Sequence, residues 1–229
     1  MITDKHCVFV AGGTGYVGRP LIERLLQRGH TVRALARPGS QGKVPPGCEI
    51  VLGNALDAST YSDRIRPADT FVQLVGVAHP SPAKAAEFRS IDLPSASGAI
   101  QAAAKLSIEH FIYVSVAHPA PVMKAYVEVR THCERLIHER GLNATILRPW
   151  YVLGPGHRWP YLLIPIYWLA GLFPLTREGS QRLGLVTRED MIKGLVQAVE
   201  YPVQGIRIIE VPEIRASRGV SRMRSASPA

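Results

Sequence analysis

Residues 8–29, VFVAGGTGYVGRPLIERLLQRG, decide the fold. Val8 to Ala11 form a short apolar run that reads as a buried strand. The run stops at Gly12-Gly13-Thr14-Gly15-Tyr16-Val17-Gly18, glycines spaced G-x-x-G-x-x-G, and a helical pattern follows: Val17, Leu21, Leu25 and Ile22, Leu26 recur every four residues. Pro20 falls in the first turn, where its missing N–H costs nothing, and Gly29 stands where a helix would end in a left-handed residue. Each glycine of such a turn has a physical task. One makes the tight strand-to-helix bend, one lets backbone approach a pyrophosphate, and one lets helix and strand pack closely. Free N–H groups at the helix start then face the phosphates, and the helix dipole adds to the attraction. Strand, glycines and helix in this order predict a dinucleotide site.

The next segment bears on which dinucleotide. His30 to Ala36 reads as a second strand leading into Arg37-Pro38-Gly39. An NAD site usually ends that strand with an acid about 20 residues past the first glycine, to hold the ribose 2′-hydroxyl. No Asp or Glu occurs between Arg24 and Cys48, and Arg33, Arg37 and Lys43 occupy the stretch instead. A 2′-phosphate pairs with arginine and is repelled by a carboxylate, so NADP(H) is expected over NAD(H), with Arg37 as its partner. Arg33 reads equally as a solvated strand residue.

Beyond this, strands and helices alternate, predicting an α/β, Rossmann-type doubly wound parallel sheet. Strands are expected at 49–53, 70–75, 110–115, 144–147 and 206–211, and helices at 92–107, 130–140 and 190–200. Residues 1–150 make the dinucleotide-binding core, 151–214 a substrate or lid region completing the same domain, and 215–229 a disordered tail. That tail, RASRGVSRMRSASPA, holds four arginines and almost nothing apolar. It inflates the net charge of +9, which falls to +5 once those four are set aside. No nucleic-acid motif accompanies the charge, and no nucleic-acid partner is expected. The three cysteines, Cys7, Cys48 and Cys133, are widely spaced. With polar Asp4, Lys5 and His6 leading directly into the first strand, they suit a reducing cytoplasm. His79, His118 and His157 lack metal-ligand spacing, so no metal site is expected.

Between Trp150 and Thr176 lie all three tryptophans and three of the eight tyrosines, around an apolar run from Tyr161 to Pro174. Broken by prolines, it is too short to span a bilayer, which needs about 20 residues. A lid over an apolar pocket, a peripheral membrane contact through 159–175, and core or oligomer packing all remain open.

Taken in order, GGTGYVG, RALARP, GNALD, FIYVS, Tyr126 with a basic residue four later, and ILRPWYVLGPG resemble the short-chain dehydrogenase/reductase superfamily. More narrowly, they resemble its atypical, extended members, NAD-dependent epimerase/dehydratase-like, related to the NmrA-like group and the 39-kDa accessory subunit of respiratory complex I. The resemblance runs from residue 8 to about 211. It implies that Asn54, Ala55 and Leu56, in the turn ending at Asp57, lie against the adenine, and Val75, Gly76 and Val77 along the ribose. Pro149, Trp150 and Val152 would lie near the nicotinamide. It also implies a catalytic tyrosine with a lysine four residues later and a serine that orients the substrate oxygen. The matching residues are Tyr126, Arg130 and Ser115. Arginine keeps the charge but is a planar fork rather than a point charge, so the exchange is not conservative. Tyr126 and Arg130 share a helical face, or else are a loop aromatic and a solvated helix residue. Two functions follow as expectations: an NADP(H)-dependent oxidoreductase or epimerase-like enzyme on a small apolar carbonyl or alcohol, or a non-catalytic NADP-binding sensor or scaffold.

Overall fold

A computed structural model describes residues 4–120, 122–154 and 184–216. β1 (Cys7–Ala11) and β2 (Thr31–Ala36) pair in parallel through α1 (Gly18–Gln27). β3 (Glu49–Leu52) lies beyond β2, and β4 (Thr70–Gln73) returns to the other side of β1. The chain then enters a helical lead-in, with a π turn at Phe88–Asp92, before α2 (Leu93–Lys105). β5 (His110–Val114), α3 (Lys124–Glu139), β6 (Ala144–Arg148), α4 (Arg188–Glu200) and β9 (Ile206–Glu210) complete the sheet, and α5 (Val211–Ala216) closes the described chain. All neighbours pair in parallel in the order β3-β2-β1-β4-β5-β6-β9. This is the Rossmann-type doubly wound α/β sheet expected from the alternating pattern.

Both faces of the inner strands are covered, which is why these strands read as continuous apolar runs rather than alternating ones. One face carries Phe9, Phe71 and Phe111, opposite one another on β1, β4 and β5, with ring centroids 5.0 and 5.4 Å apart. Ile100 of α2 and Cys133 and Ile137 of α3 pack over them. The other face sets Val8, Val10 and Ile112 against Leu21 and Leu25 of α1 and Leu195 and Val199 of α4. Only the edges depart from this rule: β3 leaves Ile50 and Leu52 about 40% exposed, and β9 leaves Ile206 and Ile208 similarly so.

Several local expectations change. α3 begins at Lys124 rather than at 130, so Tyr126 is on the helix. Two short parallel strands, β7 (Tyr151–Leu153) and β8 (Leu185–Thr187), form a separate pair that the sequence pattern does not signal. Arg33 is not solvated: it is buried, bonded to Glu49 at 2.5 Å and to the Arg66 carbonyl. Arg215 and Ala216, assigned to the tail, finish α5, and Arg215 Nε donates to the Leu185 carbonyl at 2.7 Å. The rest of the tail and the apolar run 159–175 lie outside the described residues. Among the described residues no helix is long and apolar enough to cross a membrane.

Candidate active site

The sheet order reverses between β1 and β4, and a cavity of about 570 Å³ opens there, beyond the carboxyl ends of the strands. The glycine turn forms its floor. Gly12 has φ +92°, a conformation that side chains other than glycine rarely adopt, and its carbonyl accepts from the Gly15 N–H at 3.0 Å. A Cβ on Gly18 would sit 2.1 Å from the Gly12 oxygen, so this glycine allows the turn to pack on the helix start. A Cβ on Gly15 would meet only that same oxygen, at 3.2 Å, and otherwise project into open space. No side chain caps the start of α1. A backbone cradle that one Cβ would fill, below an uncapped helix N-terminus, fits a pyrophosphate.

Loops after the other strands supply the walls. Gly76 and Val77 follow β4, Ser115 follows β5, Pro149, Trp150 and Val152 follow β6, and α3 contributes Tyr126 and Arg130. Gly12, Gly15, Tyr16, Val17 and Gly18 line the same space. The remaining expected residues are elsewhere. Gly13 is buried with its Cα side against Ile22 and Ala34, and Thr14 is half-buried in the turn. Val75 packs onto the core face. Arg37 is exposed in the turn after β2, whose Ser40 N–H donates to the Arg37 carbonyl at 2.9 Å. The turn from Asn54 to Asp57 uses its polar groups internally: Asn54 Oδ1 accepts from the Leu56 N–H at 3.1 Å, beside Ala55, and Asp57 caps Ser59.

Arg130 is the electrostatic centre of the site. It is 5% exposed; both Nη atoms of its fork are engaged, while Nε has no hydrogen-bond partner among the described residues. Nη2 donates to Asp92 Oδ1 at 2.5 Å, and Nη1 donates to the Val114 carbonyl at 2.9 Å and to the Tyr113 hydroxyl at 3.3 Å. The guanidinium carbon lies 4.9 Å from the Tyr126 ring centroid, a cation over an aromatic face. Burial opposes the charge, but Tyr113, Tyr126 and Asp92 outweigh it, and Arg130 is held protonated more firmly than a free arginine. Burial pushes the Asp92 carboxyl up, against the pull of Arg130 and the Val77 N–H, and it pushes the Tyr113 hydroxyl well up. Tyr126 packs on Phe88 at 4.9 Å, and Pro80, Val116, Met123, Trp150 and Tyr151 surround it with apolar surface.

Ser115 is tied to a charged network on α3 and β6. Its hydroxyl donates to Glu134 Oε1 at 2.5 Å, and Glu134 also takes Arg148 Nε at 3.0 Å and His118 Nε2 at 3.5 Å. Arg148 reaches on to Glu210 at 3.0 Å. The Ser115 proton is therefore committed to Glu134, and the oxygen faces the site as an acceptor. Asp92 and Glu134 were not singled out in the sequence. The only signal for Glu134 was an acid four residues after Arg130, on a helix face otherwise built of Cys133 and Ile137.

The open sheet, the glycine cradle and the cavity above it define a dinucleotide-binding protein of the short-chain dehydrogenase/reductase superfamily, in its atypical branch. The chain belongs to the NAD(P)H-binding family, whose sequence pattern matches residues 12–158. It is 26% identical to a ceramide reductase of Caulobacter vibrioides over all of this chain and 74% of that protein. It is also 26% identical to the photosystem II assembly factor Ycf39 of Synechocystis, over 90% of this chain and 65% of that one. The fold matches the Bordetella bronchiseptica enzyme WbmH in complex with NAD+, with a TM-score of 0.67 and 20% identity, covering 99% of this chain and 84% of that one.

Proposed function

We propose that the protein is an NADP(H)-dependent reductase or epimerase-like enzyme acting on a small, apolar carbonyl or alcohol. The observation that carries this reading is the placement of Tyr126, with Arg130 against its ring, in the same cavity as the glycine cradle. The nicotinamide, when bound, supplies or accepts the hydride. Tyr126 supplies the proton to the substrate oxygen, and Arg130, paired with Asp92, lies against its ring. Ser115 accepts from a substrate hydroxyl rather than donating to a carbonyl, because its own proton is held by Glu134. The apolar rim of Pro80, Val116, Met123, Trp150 and Tyr151 excludes water and favours a substrate with little polar surface. Preference for NADP(H) over NAD(H) rests on Arg37 at the end of β2 and on the absence of an acid there.

The test is turnover against a broad panel of apolar ketones and aldehydes. Wild type oxidises NADPH with at least one of them, and Tyr126→Phe loses that activity while keeping its affinity for NADPH. A second reading, a non-catalytic NADP-binding sensor or scaffold, is favoured by the closed Arg130–Asp92 pair and the committed Ser115 proton. A wild type silent across the panel that still binds NADPH would establish that second reading.

A further inference from the structure

We infer that Asp92 is a positioning residue that controls how much of the Arg130 charge reaches Tyr126. Asp92 is fully buried at the last residue of the π turn that leads into α2. Its two oxygens do different work: Oδ1 takes Arg130 Nη2 at 2.5 Å, and Oδ2 takes the Val77 N–H at 2.9 Å. One carboxylate thus ties the loop after β4 to α3, and a Cβ on Gly76 would collide with both Arg130 Nη2, at 2.5 Å, and Asp92 Oδ1, at 3.1 Å.

The electrical consequence follows from the distances. A lone cation close to a phenol shifts its proton affinity by about 1–3 units. Here a carboxylate is in direct contact with that cation, and the field of an ion pair falls off faster than that of a single charge. The other groups around Tyr126 do not replace Asp92. Tyr113 on β5 and Cys133 on α3 are both pushed up by burial and stay neutral. His79 lies across the cavity on the loop after β4, Glu128 and Arg89 face solvent and pair with each other at 3.9 Å, and Lys124 is exposed. Glu134, with His118 and Arg148, is a separate network behind Ser115.

The inference rests on the proposed enzyme only for its catalytic consequence, and it is tested without substrate. Ring-labelled tyrosine in the full chain is titrated by NMR, with the Tyr126 signal identified by its loss in Tyr126→Phe. In Asp92→Asn the midpoint for Tyr126 falls by about one unit or more relative to wild type. In the double variant Asp92→Asn/Arg130→Gln, both charges are gone and the midpoint returns to that of wild type. If Asp92→Asn does not fold, because an unpaired buried cation is too costly, the double variant alone decides. A midpoint that matches wild type supports cancellation, and a rise of about one unit or more overturns it. An unmoved midpoint in folded Asp92→Asn also overturns it. Silence of the wild type against the carbonyl panel sinks the reductase reading and leaves these titrations as they are.

Discussion

Gly15 and Gly18 are three residues apart and have opposite reasons to be glycine. At Gly18 the space is taken by the chain's own backbone, the Gly12 carbonyl 2.1 Å from where a Cβ would be. At Gly15 the space is open, bounded on one side by the same oxygen at 3.2 Å. Gly15→Val therefore leaves the thermal midpoint within a few degrees of wild type and abolishes NADPH binding by calorimetry, since its methyl groups fill the phosphate cradle. Gly18→Ala instead lowers stability outright, seen as a loss of soluble, cooperatively unfolding protein. Arg37 poses a different question at the same scale. Exposed and next to the cradle in the topology, it contributes only where a 2′-phosphate is present. Arg37→Ala weakens NADPH by about ten- to a hundredfold, equivalent to roughly 1.5–3 kcal/mol, and leaves NADH unchanged. Equal losses for both cofactors would remove the basis for the NADP(H) preference.

At the scale of elements, α4 shows how much of its stability is local. Thr187 precedes it, accepting from the Asp190 N–H at 3.1 Å and donating to Asp190 Oδ2 at 2.6 Å, with Glu189 and Asp190 placed to suit the dipole. Thr187→Ala removes the cap and costs about 1 kcal/mol, a drop of roughly 2–4 °C in the melting midpoint. An unchanged midpoint would mean that packing on α1 alone holds the helix. β1, α1, β2 and the inner strands were readable in the sequence, because each rests on local chemistry or on burial of both faces. What was not readable depended on distant partners. Arg33 looked like a surface residue until parallel pairing set Glu49 opposite it. The start of α3 was hidden because Met123, in the left-handed region at φ +63°, begins the helix without a side-chain cap. β7 and β8 have three residues each, too few for any period to register. Asp92 is a lone acid between Ile91 and Leu93, and nothing nearby announces a partner 38 residues further on. The glycine turn that floors the cavity was therefore legible, whereas the pairing that surrounds Tyr126 was not.

The whole molecule is polarised along its strands. Their carboxyl ends carry the cavity, while the amino ends gather histidines: His6 before β1, His30 before β2 and His110 at the start of β5. His6 and His30 stack at 5.8 Å, and His30 lies 3.5 Å from Glu200. His110 is completely buried, its Nε2 3.0 Å from Thr145 Oγ1, and its Nδ1 has no hydrogen-bond partner among the described residues. Burial pushes it down to about 4, helped by the charge of Arg207, which bonds the same Thr145 at 3.1 Å. Burial also lowers His30. A histidine whose folded value lies below its unfolded value of about 6.5 prefers to fold neutral. The stability it supports is complete above pH 6.5 or so and is lost as pH falls from there toward 4, because the unfolded chain takes up the proton first. For His110 the full loss is on the order of 3 kcal/mol, enough to move the melting midpoint of a domain this size by roughly 6–12 °C. Thermal scans between neutral pH and pH 4 therefore fall steeply for wild type. They fall less steeply for His110→Gln, although that variant starts lower for want of a packed ring. Because His110 sits at the end of the sheet opposite the cradle, NADPH affinity at neutral pH is the same in both proteins. An acid slope in His110→Gln as steep as that of wild type would assign the loss to His30 and the carboxylates instead.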